Sequence, residues 1–198
     1  MVKLHFIYPC RLIIPLLVCW LPTNMLAAQD TLAFNSLLIG LQVTENYNQE
    51  VFRNYWEPEM GVEGLISMPF YSGVAHAGVQ LTWFSGKNKS YPNFFNIHPF
   101  LGWGFRMSLP YRSSWYFCVR IGIDQMIFDQ LEGYEKSESE VASSLNTMFS
   151  MPIHRDCHML LSTGYKTIFT QKRIHLLQIS AGMAYIIRTP PWLKGFLD

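Results

Sequence analysis

Apolar and polar residues alternate with a period of two along most of this chain. The clearest stretch runs from Phe95 to Leu109. Its odd positions read Phe95, Ile97, Pro99, Leu101, Trp103, Phe105, Met107 and Leu109. Its even positions read Asn96, His98, Phe100, Gly102, Gly104, Arg106 and Ser108. One face is wholly apolar; the other is dominated by small and polar residues. Successive side chains of a strand point to opposite faces, so this period predicts strands with two different surroundings. Trp115, Phe117, Val119, Ile121 and Ile123 repeat the pattern against Tyr116, Cys118, Arg120, Gly122 and Asp124. So do Leu177, Ile179, Ala181, Met183, Tyr185 and Ile187 against Gln178, Ser180, Gly182, Ala184, Ile186 and Arg188.

Weaker versions fill Leu37 to Tyr47, Trp56 to Phe70, Val74 to Ser85, Val141 to Met151 and Cys157 to Phe169. The total is about eight strands, an even number. Short connections at Tyr71–Gly73, Pro110–Ser113 and Ile153–Asp156 alternate with more polar ones. The latter lie at Glu45 to Tyr55, Gly86 to Tyr91 and Gln130 to Ser137. Short turns at one end and longer polar loops at the other is the layout of an outer-membrane barrel. Thr170–Arg173 departs from it by being short where length is expected. Several strands run to about a dozen residues, whereas a tilted membrane-crossing strand needs about 9–11 and soluble strands average about 5–6. The apolar face carries bulky Trp, Phe and Ile, which suit lipid. The other carries glycines and charges, which suit a narrow interior. A soluble carrier barrel would reverse the two faces. The prediction is an all-β, up-and-down antiparallel transmembrane β-barrel of about eight strands.

The N-terminal segment lacks the alternation. Lys3 and Arg11 precede the apolar run Leu12 to Leu21, and small residues follow at Ala27 and Ala28. This is the layout of a cleaved secretory signal, and the run is too short to span a bilayer. The chain therefore divides into a signal peptide over 1–28 and a barrel domain over 29–198. Aromatics and charged residues are each 15% of the chain, where soluble domains carry about 25% charge. Cleavage after Ala28 would leave 13 Lys+Arg against 14 acids. Nothing in that balance suits nucleic acid. Of the 4 cysteines, only Cys118 and Cys157 follow the signal. They fall on opposite faces of non-adjacent strands, which predicts free thiols. No CxxC, metal-ligand spacing or cofactor motif is present.

Aromatics sit at the strand ends. Trp56, Trp83, Phe95 and Phe169 fall at the loop end, and Phe70, Trp115, Phe149 and Tyr185 at the turn end. Two aromatic belts flanking an apolar band is the expected interfacial pattern. Pro99-Phe100-Leu101-Gly102-Trp103-Gly104-Phe105 is similar to a glycine-aromatic strand common in small outer-membrane barrels. From about residue 36 to 188 the chain resembles that group, the relatives of the OmpA-type transmembrane domain. The resemblance implies a Gram-negative outer membrane. Its lipids, lipopolysaccharide and the barrel-insertion machinery are the implied partners, and any surface partner is unknown. Such barrels end on a terminal aromatic read by that machinery. Here Thr189 to Asp198 follows the last strand, with Tyr185 and Phe196 as candidate signals.

The inward face is expected to hold Glu59, Glu63, His98, Arg106, Arg120, Asp124, Lys166 and Arg188. Charges in a low-dielectric interior must pair or be hydrated, so a salt-bridge network plugging the lumen is expected. His98 and Asp124 on neighbouring strands could face each other, which invites a catalytic reading. No GxSxG motif supplies a nucleophile, and His76, His98, His158 and His175 lack a serine two residues on. The favoured role is structural or surface-interacting, without catalysis. A narrow channel, a lipid A-modifying enzyme at the rim and a secreted soluble carrier are the alternatives. The polar loop Glu45 to Tyr55 could bind a partner or a surface glycan. The acidic stretch Gln130 to Glu140 could meet divalent cations.

Overall fold

In the computed structural model, residues 34–48, 50–71, 73–129, 136–171 and 173–189 are described. The predicted signal peptide and almost all of the tail after Arg188 lie outside them. The strands are β1 Ser36–Asn48, β2 Trp56–Phe70, β3 Gly73–Gly86, β4 Phe94–Ser108, β5 Ser114–Phe128, β6 Ser137–Pro152, β7 Cys157–Ile168 and β8 Ile174–Arg188. Each pairs antiparallel with the next. β1 pairs with β8 from Ser36↔Arg188 to Asn48↔Leu176, which closes the barrel and leaves no sheet edge along most of the wall.

The strands are 12 to 16 residues long, and several extend beyond the alternating segments into what reads as loop. Glu45 to Asn48 belong to β1, not to a connection, and Ser137 to Glu140 belong to β6. A short 3-10 turn over Glu50–Asn54 lies between β1 and β2. The corrections share a cause. Barrel strands are tilted and keep pairing above the apolar band, where polar residues on both faces hide the period.

The alternation separates two environments. Leu101 is 70% exposed while its neighbour Phe100 is 4% exposed. The same contrast runs around the wall at Leu41, Ile121, Leu145 and Met183, all exposed. Leaving such side chains in water forfeits about 1.5–3 kcal/mol each. Lipid removes that cost, and an apolar wall around a polar centre is therefore a membrane-spanning arrangement.

One strand breaks parity. Between Pro58 and Gly61 the register of β2 against β3 shifts by one residue, a β-bulge. Below it Gly61, Glu63 and Leu65 face inward. Above it Trp56 turns inward instead of joining the outer belt. Trp56 packs on Phe52, with ring centroids 5.1 Å apart, and its indole N–H donates to the Pro92 carbonyl at 2.9 Å. Glu59 moves the other way and is exposed, taking a hydrogen bond from Ser85. Trp83, Phe169, Trp115 and Tyr185 lie exposed on the outer face, and Phe95, Phe70 and Phe149 lie half-buried. Trp83 and Phe95 are cross-strand partners near the loop end, and Trp115 and Phe149 near the turn end.

Candidate functional site: the charged layer of the lumen

Inward side chains fill the barrel in layers. At the loop end Phe84, Phe94, Met126, Ile168, Ile174 and Leu176 form an apolar cluster, capped by Phe52, Trp56 and Phe128. Towards the turn end Leu38, Leu65, Phe100, Tyr116, Met148 and Leu160 form a second. Their members come from all eight strands, at even positions except Leu65 of β2. There they interrupt the small and polar run, which is the one trace they leave in the sequence.

Two charge centres lie between the clusters. In the first, Arg120 of β5 reaches across the lumen to Glu63 of β2. Its Nη1 donates to both carboxylate oxygens at 3.0 Å. The guanidinium lies 4.4 Å over the Phe100 ring, a cation–π contact. Gln42 of β1 approaches the same carboxylate at 3.5 Å and itself accepts from Ser162 at 2.9 Å. In the second, Asp124 of β5 gathers three partners. Lys166 of β7 donates to Oδ1 at 2.7 Å, and Asn96 of β4 donates to the same oxygen. His98 Nδ1 lies 3.3 Å from Oδ2, at ion-pair distance but without hydrogen-bond geometry. Gly122 makes room for His98. A side chain there would meet the Pro99 carbonyl at 2.2 Å and the imidazole Cε1 at 2.7 Å.

Lys166 is 1% exposed and Asp124 0%. Taking such ions out of water costs several kcal/mol each, roughly recovered only when both charges are paired and hydrogen-bonded. Two carboxylates against one Arg and one Lys leave the layer formally neutral. Neutral amides complete it. Gln178 donates to Asn46 at 2.9 Å and to Gln80 at 3.1 Å, and Thr44 bonds Ser180 at 2.9 Å.

Arg106 and Arg188 are not part of this network. Both are exposed at the turn-end mouth, where water solvates them and no acid is paired to either among the described residues. Arg106 donates to Ser114 at 3.0 Å. Gln42, Asn96 and Gln178, uncharged and without a motif, join the layer although the sequence singles out only ionisable residues for it. Their signal is their inward parity at the level of the charges.

Chemically, the layer offers paired charges and little else. His98 and Asp124 do meet, but no hydroxyl or thiol is hydrogen-bonded to His98 among the described residues. Ser67 pairs with His76 at 2.7 Å and Ser150 with His158 at 3.0 Å, without an acid on either imidazole among the described residues. All four are buried. Cys118 is buried and Cys157 half-buried, and both are free thiols.

A closed, eight-stranded, up-and-down barrel with an apolar wall and a packed polar interior is the fold of an outer-membrane β-barrel. Known structures have the same fold. The neisserial surface protein A structure matches with a TM-score of 0.55 at 12% identity, over 75% of this chain and 96% of that chain. Ail, the attachment invasion locus protein of Yersinia pestis, in complex with the heparin analogue sucrose octasulfate, matches with a TM-score of 0.51 at 12% identity. That match covers 78% of this chain and 99% of Ail. No protein-family model and no curated protein sequence matches the chain. At this identity the likeness is one of fold.

Proposed function

We propose that this chain is an integral outer-membrane barrel with a plugged lumen and a structural or surface-interaction role. It is exported by a cleaved signal over residues 1–28, with both chain ends periplasmic and the longer connections outward. The outer-membrane lipids and lipopolysaccharide surround it, the insertion machinery assembles it, and it performs no catalysis. The observation that carries the plug is the layering of the lumen. An ion crossing it would leave its hydration shell at the loop-end cluster and again at the turn-end cluster, with a neutralised charge layer between. The interior of an eight-stranded barrel is about wide enough for side chains to fill it. A surface role draws support from the likeness in fold to two surface and attachment proteins.

The test expresses the full chain with its signal, fractionates the envelope and compares heated with unheated samples on a detergent gel. Outer-membrane recovery, a heat-modifiable band and a silent planar bilayer are expected. Unit conductance steps altered by Arg120→Ala or Glu63→Ala would replace this reading with a channel.

A further inference from the structure

The wall of the barrel is not closed to its full height. β1 pairs with β8 up to Asn48, and β2 pairs with β3 from Trp56. Their mutual pairing stops at Thr44↔Gly61. Above that level the two strands part, and the bulge between Pro58 and Gly61 lies at the fork. Between them opens a notch of about 340 Å³ at the loop-end rim. It is bounded by Glu45, Asn46 and Tyr47 from β1, Arg53 from the short connection, Glu57 from β2 and Lys87 beyond β3.

Its chemistry differs from that of the large grooves on the wall. The large grooves on the wall are lined almost wholly by apolar residues at membrane depth, such as Ile39, Val79 and Leu101, and lipid chains fill such grooves without selection. The notch holds two carboxylates and two cations, with no ion pair among them within the described residues. Tyr47 is 45% exposed. Asn46, between the exposed Glu45 and Tyr47, turns its amide into the lumen, where its oxygen accepts from Gln178.

A ligand that suits this notch must accept from cations and donate to carboxylates at the same time. It must also offer an apolar face to a phenol ring. Hydroxyl groups both donate and accept, and a sugar ring carries several around an apolar face. A polysulfated ligand would meet Glu45 and Glu57 with like charge. From this lining we infer that the notch is a binding site for a neutral saccharide unit. The inference rests on the reading that the loop end faces outward, and it names the class of surface ligand.

The full chain, expressed with its signal and purified in detergent, is applied to an array of neutral oligosaccharides with sucrose octasulfate alongside. The heat-modifiable band is read on the same sample. Saturable binding to a neutral oligosaccharide is expected, weakened about tenfold or more by Glu57→Gln and by Tyr47→Ala, the scale of one lost charge-assisted hydrogen bond. Arg155→Ala at the opposite end leaves it unchanged. No neutral binding, binding unmoved by either rim variant, or binding of the polysulfate alone overturns the inference. A band that does not shift with heat overturns the barrel reading instead, so the two failures are distinct.

Discussion

The two charge centres of the lumen solve one problem by different means. Arg120 and Glu63 belong to β5 and β2, on opposite sides of the barrel, and form a strut across it. Asp124 draws its partners from β4 and β7, which flank β5 at one and two strands' distance, and forms a cluster against one wall. The strut uses Arg, whose planar guanidinium also covers the Phe100 ring. The cluster uses Lys, a point charge on a flexible stem that must be surrounded by acceptors. The comparison teaches that the strut depends on barrel closure, and the cluster on local register around Pro99 and Gly122.

The largest expected effect comes from breaking the cluster. Asp124→Ala leaves the Lys166 ammonium buried without its partner and should destabilise by about 3–5 kcal/mol. The midpoint of urea unfolding in lipid vesicles measures it. Breaking the strut with Arg120→Ala should cost about 3 kcal/mol, the lower end of the same range. The abandoned carboxylate of Glu63 keeps Gln42 and can take up a proton. A cost of Arg120→Ala clearly above that of Asp124→Ala would reverse the ranking. Gly122→Val, whose side chain would meet the Pro99 carbonyl and His98, should displace the imidazole and cost about 1–3 kcal/mol through overpacking. The smallest effect sharpens the contrast. Glu63→Gln combined with Arg120→Met removes both ends of the strut and should fall within about 1 kcal/mol of the parent. A heat-modifiable band converting at the parent's temperature would place the strut's importance in assembly rather than in stability.

Much of the wall is legible in the alternation alone, because lipid and lumen impose opposite demands on neighbouring residues. Leu101 beside Phe100 marks the limit of that reading. Parity gives the face of Phe100, but only packing explains a large ring facing inward, as part of the apolar cluster beneath Arg120. Trp56 marks another limit. Counting residues carries it to the outer belt, and a single extra residue in the bulge sends it to the cap. Arg106 and Arg188 share inward parity with Arg120, yet only their height in the barrel leaves them in water.

The sequence by itself determined that strands form, how many there are, and which face meets lipid. Those properties follow from period and composition, which act over neighbouring residues. The tertiary structure alone decided which charges meet. Glu63 and Arg120 are 57 positions apart, and their contact exists only because β1 closes on β8. It alone decided the parting of β1 from β2 above Thr44 as well. That follows from strand tilt and one bulge, which act through the geometry of the closed sheet and leave no period in the chain.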